Sequence, residues 1–95
     1  HVILVNVDSD ITSATGLTLR LLPQVGSGKS ITDGVTAPAV TVTVGEDTFT
    51  SGEYIEYTTK ASDLDYKGLW RKKAIVTHSS TDIEQTNYET FRVLA

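Results

Sequence analysis

The residues with reactive or ligating side chains fall into five small groups. Gly26-Ser27-Gly28-Lys29-Ser30 ends like a phosphate-binding loop, whose backbone amides would cradle an anion. The full motif needs a glycine where Pro23 stands, and a helix after Ser30 to hold the phosphate on its N-terminus. Ile31-Thr32-Asp33-Gly34 is instead a turn sequence, so a Gly/Ser loop with no nucleotide chemistry is expected. Asp8/Asp10 and Asp63/Asp65 offer hard oxygen ligands for calcium. They lack the dense acidic repeat and closing glutamate of a calcium loop, and aspartate is also a common turn and cap residue. His1 and His78 are the only imidazoles, and Ser79 and Ser80 follow His78 directly. Adjacency in sequence does not make a triad, which needs base, orienting acid and oxyanion hole in defined geometry. No catalytic residue, cofactor or metal is therefore expected.

The two remaining groups suit binding. Arg71-Lys72-Lys73 is the one basic run. On a strand, Arg71 and Lys73 share a face, either as a solvated surface or as a positive stripe for an acidic partner, including another copy. Tyr54, Tyr57, Tyr66 and Tyr88, with Trp70, could stack on a sugar, or pack a core and an interface.

The elements that must position these groups are strands. Val, Ile and Thr account for 31 of the 95 residues, against 6 Ala and 5 Glu. β-Branched side chains are stiff and pack well on a pleated surface, so the composition predicts an all-β domain. Val2–Val7 reads as a first strand. Leu17, Leu19 and Leu21 alternate along a second, closed by Pro23. Gln24 to Pro38 reads as a long polar connection. Val40–Val44 and Thr48–Thr50 form a hairpin about Gly45-Glu46-Asp47. A strand over Glu53–Thr59 follows, with Tyr54 and Glu56 on one face and Ile55 and Tyr57 on the other. Ala61–Asp65 reads as one helical turn capped by Ser62. Leu69–His78 and Asn87–Leu94 complete about seven strands in one domain over residues 1–95. If Trp70, Ala74 and Val76 face the core, Lys72 shares their face. Its stem then lies on apolar surface with the ammonium in water, or it joins a buried ion pair.

With no cysteine, disulfides and cysteine chemistry are excluded. A net charge of −4 argues against nucleic acid and against an anionic membrane. No apolar run approaches the roughly 18–20 residues that span a bilayer. A domain this short buries only about 60–65% of its unfolded surface and leaves a small stability margin.

The segment Tyr57-Thr58-Thr59-Lys60-Ala61-Ser62-Asp63-Leu64-Asp65-Tyr66-Lys67-Gly68-Leu69-Trp70 is followed by Ala74–Thr77 and Phe91–Leu94. Together with Asp10–Thr15 ahead of Leu17, it resembles the small immunoglobulin-like virion proteins of tailed bacteriophages, similar to the N-terminal domain of baseplate upper proteins. The chain departs from the antibody pattern in lacking a cysteine pair, and from the phage pattern in placing Lys72 at a position that tends to be apolar. The resemblance implies an immunoglobulin-like β-sandwich in which Leu64 plugs one end above Trp70. It implies a non-enzymatic structural subunit, located in the virion, whose partners are other virion proteins and further copies of itself. The interface candidates on this reading are Arg71, Lys73, Tyr54, Tyr66, Val25 and Lys29. The other reading that the residues support is a carbohydrate- or cell-surface-binding module using exposed tyrosines.

Overall fold

The computed structural model describes residues 2–24, 26–60, 63–64 and 68–93; the side chains of residues 92 and 93 are not among those described. The architecture is all-β in several antiparallel sheets, with no helix among the described residues. β1 (Val2–Asn6) pairs with β6 (Tyr54–Thr58) in a two-stranded sheet. β2 (Gly16–Pro23) and β7 (Gly68–Thr77) are the spine of a five-stranded sheet. β3 (Lys29–Ile31) lies outside β2, while β8 (Ile83–Gln85) and β9 (Glu89–Val93) share the far edge of β7. β4 (Val42–Val44) and β5 (Asp47–Phe49) form a hairpin of their own.

Period-two alternation puts one side of the β1–β6 sheet and one side of the five-stranded sheet into a shared core. Ile3, Val5, Ile55 and Tyr57 from the two-stranded sheet meet Leu19, Leu21, Trp70, Ala74 and Val76 from the five-stranded one. The Leu17/Leu19/Leu21 alternation expected for β2 holds, with Leu19 and Leu21 fully buried. Leu64 packs against this cluster, and Trp70 is buried within it.

Three expectations need correction. First, the Gln24–Pro38 connection is not structureless: Lys29–Ile31 pairs with β2, Leu21 opposite Lys29 and Leu19 opposite Ile31. Three residues are too few for alternation to show in sequence. Second, the return from β7 is two strands rather than one. Gln85 faces Ile75 and Glu89 faces Lys72, so Thr86, Asn87 and Tyr88 oppose only Lys73 and Ala74. This extra residue is a β-bulge. Thr86 fastens it, donating its amide to Ala74 O (3.0 Å) and accepting the Ala74 amide on its hydroxyl (3.0 Å). Third, Lys72 is only partly buried and joins no ion pair among the described residues; its ammonium is held by a backbone carbonyl, which neither expectation named. Its Nζ donates to Leu4 O at 2.8 Å, tying β7 to β1. The expected helical turn at 61–65 falls mostly outside the described residues; Asp63 and Leu64 lie in a turn.

Burial pushes the Lys72 ammonium pKa down, with Glu89 and Asp47 partly compensating. A lowered lysine pKa marks a charge that costs stability at neutral pH, a cost relieved only as pH rises through the folded value. Lys72→Met, which keeps the stem's packing, is therefore expected to unfold within about 1 kcal/mol of the parent in urea. A loss above about 3 kcal/mol would show that the Leu4 bond outweighs desolvation.

The β4–β5 turn follows from its sequence. Val44 faces Asp47 across the two residues Gly45 and Glu46, and Gly45 has φ +62°. Glycine at the first position of a two-residue hairpin loop is what a type II′ turn requires. Gly52, at φ +74°, is equally constrained: a Cβ there would lie 2.8 Å from Thr12 Cγ2.

Candidate functional site

The outer side of the five-stranded sheet faces away from the core and gathers the basic run. In the β2–β7 ladder Arg20 stands opposite Lys73, and Leu22 opposite Arg71. All four point outward, because their neighbours Leu19, Leu21, Trp70 and Ala74 are buried. The bulge completes the group. In an unbroken ladder Asn87 would face Lys73; the extra residue puts Tyr88 there instead. Lys73 Nζ lies 4.8 Å from the centroid of the Tyr88 ring, and Arg71 Cζ lies 5.8 Å from it. Each cation thus sits over the negative π-face of a partly exposed ring.

Short polar contacts hold two of these cations in place. Lys73 Nζ donates to Gln85 Oε1 (2.8 Å), and Arg20 Nη1 donates to Ser30 Oγ (2.9 Å). Among the described residues no carboxylate pairs with Arg20, Arg71 or Lys73, and no Asp or Glu occupies the outward positions of this sheet. Leu69 and Ile83 are exposed on the same side. In a chain of net charge −4, the result is a positive, partly apolar face with its countercharge elsewhere.

The other interface candidates are distributed differently. Tyr54 is fully buried, so it cannot present its ring to a sugar or a partner. The β4–β5 hairpin folds over it: Phe49 meets its ring at 5.6 Å and 57°, and its hydroxyl donates to Val40 O at 2.9 Å. Tyr57 is also in the core. Lys29 is half-buried and works inside the fold, its Nζ donating to Asp63 O (2.9 Å) and lying 5.9 Å from the Trp70 ring centroid. Val25 and Tyr66 lie outside the described residues. Arg71 and Lys73 are thus the candidates found together on the surface. Arg20 and Tyr88 complete their cluster. The missing signals were the strand register for Arg20 and the bulge for Tyr88.

Of the remaining candidates, His1 and Asp65 lie outside the described residues, while Asp10, Ser79 and His78 make local contacts. Asp10 Oδ1 accepts the Thr12 amide (3.0 Å) and the Thr12 hydroxyl (2.7 Å), which is an Asx turn rather than a half-built cation site. Among the described residues no three ligating side chains converge on one point. Ser79 Oγ lies by Thr81 Oγ1 at 3.4 Å. Among the described residues a serine–carboxylate–histidine chain has the wrong order: Glu84 accepts from Ser9 Oγ (2.7 Å) and sits 3.1 Å from His78 Nε2. The carboxylate is in the middle, so the imidazole does not contact the hydroxyl that it would have to deprotonate.

Three carboxyl groups are held below their ordinary range. The Thr12 hydroxyl and amide lower Asp10, and the Ser9 hydroxyl and His78 lower Glu84. For Asp63, burial pushes upward, but the Tyr57 hydroxyl, the Lys60 amide (2.6 Å) and the charges of Lys29 and Lys60 outweigh it. Reciprocally, the bond to Asp63, then burial, pushes the Tyr57 hydroxyl up to about 12. A carboxyl group lowered on folding contributes stability above its unfolded pKa and loses it as pH falls through the folded value. The melting temperature followed by circular dichroism is thus expected to drop as pH falls below about 4. Asp63→Asn should blunt that drop; a melting temperature level down to pH 3 would contradict it.

Comparison with protein-family models, curated proteins and solved structures finds no match to this chain.

Proposed function

We propose that this chain is a non-enzymatic structural subunit of a tailed-phage virion. It acts through protein–protein contacts made by the outer side of its five-stranded sheet, on an immunoglobulin-like sandwich. The observation that carries the reading is the Arg20/Arg71/Lys73/Tyr88 cluster on a face without a described carboxylate. Such a face steers and registers an acidic partner, while aromatic and apolar groups supply the burial. The phage context rests on the sequence resemblance. The sandwich reading is supported by the single core shared between the two-stranded and five-stranded sheets. Leu64 packing against the core that holds Trp70 matches the role which the resemblance implies. Assembly suits a small domain, because binding to neighbours adds stability by mass action.

Mass spectrometry of purified particles tests this. The chain should be present in many copies per particle. Recovery only as free protein, with none in the particle, would overturn the proposal.

A further inference from the structure

We infer that the acceptor of the basic face is a second copy of this chain, presenting the tip of its β4–β5 hairpin. The inference rests on the assembly reading above and names the partner of that same surface. The tip carries Glu46 and Asp47, both exposed, beside Val44, which is 58% exposed. Val44 lies on the same side of the hairpin as Phe49, since Val42 pairs with Phe49 and Val44 with Asp47. Phe49 is buried against Tyr54, so this is the hairpin's inward face. Val44 is therefore an apolar residue on the hairpin's inward face that is left uncovered.

The basic face has the complementary set. Leu22 and Leu69 flank Arg71 around a shallow hollow of about 170 Å³, with Lys73 further along the same strand. An exposed apolar residue beside two carboxylates thus matches a hollow lined by Leu22, Leu69 and the Arg71 cation, with Lys73 beyond it.

Within one molecule the two patches lie on different faces. The hairpin packs on the side of β6 that faces away from the core, through Phe49 and Tyr54. The basic cluster lies on the outward side of the other sheet. Donor and acceptor being different patches on opposite sides, the contact is heterologous, and each copy offers one of each. Repetition then generates a ring or an open row rather than a closed two-fold dimer. The negative net charge makes random contacts between copies repulsive and this pairing favourable.

Sedimentation velocity over a concentration series tests the inference on the full chain. The parent should associate with increasing concentration, less so at high salt. Arg71→Glu with Lys73→Glu should weaken association at least about tenfold, and so should Glu46→Lys with Asp47→Lys. Mixing the two double variants should restore association, since each then offers the charge the other needs. Thermal melts establish that both variants fold. A parent that stays monomeric throughout the series, or a Glu46/Asp47 variant that associates like the parent, would overturn the inference. The wider reading would still stand if the chain is found in particles, with a different acidic protein as partner.

Discussion

Trp70→Ala is expected to cost about 3–5 kcal/mol of folding free energy. Among the described residues Trp70 is the largest fully buried side chain, 1% exposed near the start of β7. It stands between Pro23 on β2 and Phe91 on β9 in the ladder, with the Lys29 ammonium over its ring. Alanine would remove this packing and leave a cavity that rigid strands on both sides cannot close. A domain of this length has on the order of 5–10 kcal/mol in total, so the variant should be partly unfolded at ambient temperature. Urea unfolding followed by circular dichroism measures it. Trp70→Phe, which keeps most of the apolar volume, should lose much less. An alanine variant within about 1 kcal/mol of the parent would mean that the core is not built around this residue.

Tyr54→Ala is expected to cost a similar amount, about 3–5 kcal/mol, for a different reason. Tyr54 faces away from the main core, and its burial depends on Phe49 and the hairpin above it. Its hydroxyl also anchors Val40 O, where the chain enters the hairpin. Tyr54→Phe should lose only about 0.5–1.5 kcal/mol, because the ring packing survives and the exposed segment around Val40 admits water to the freed carbonyl. The two variants separate packing from hydrogen bonding. Equal losses would mean that the hydroxyl, not the ring, holds the hairpin down. If the hairpin loosens in the alanine variant, faster backbone amide exchange over Val42–Phe49 should accompany the loss of stability.

The sequence makes the long regular strands readable and hides what depends on a partner element. β2 and β7 show in alternating apolar residues. The hairpin shows in Val40–Val44 followed by Gly45, because a turn glycine between alternating runs is a local signal. The burial of Trp70 is readable from its place in the alternation with Ala74 and Val76, and Leu64 packs against the same core. Tyr54 was not. Its strand puts it on the side away from Ile55 and Tyr57, where exposure is the natural expectation, and only the hairpin folding over that side buries it. Lys72 shows the same limit. Its place among Trp70, Ala74 and Val76 was plain, but its partner is a backbone carbonyl 68 residues away, which no side-chain pattern encodes.

The candidate site was half legible for a related reason. Arg71 and Lys73 share a face by simple alternation along one strand. Arg20 joins them only through the β2–β7 register, and Tyr88 only through one extra residue between β8 and β9. Long-range pairing and bulges set both, and neither leaves a local mark in composition or periodicity.

The most direct measurement of the proposed virion role counts copies of the Arg71→Glu, Lys73→Glu variant in assembled tailed-phage particles. It is read against the parent by quantitative mass spectrometry. Both substitutions lie on an outward sheet face and leave every core side chain in place, so the variant should melt close to the parent. With the basic face as the assembly surface, the copy number should fall at least about tenfold. A folded variant incorporated at the parental level would contradict that role for the face.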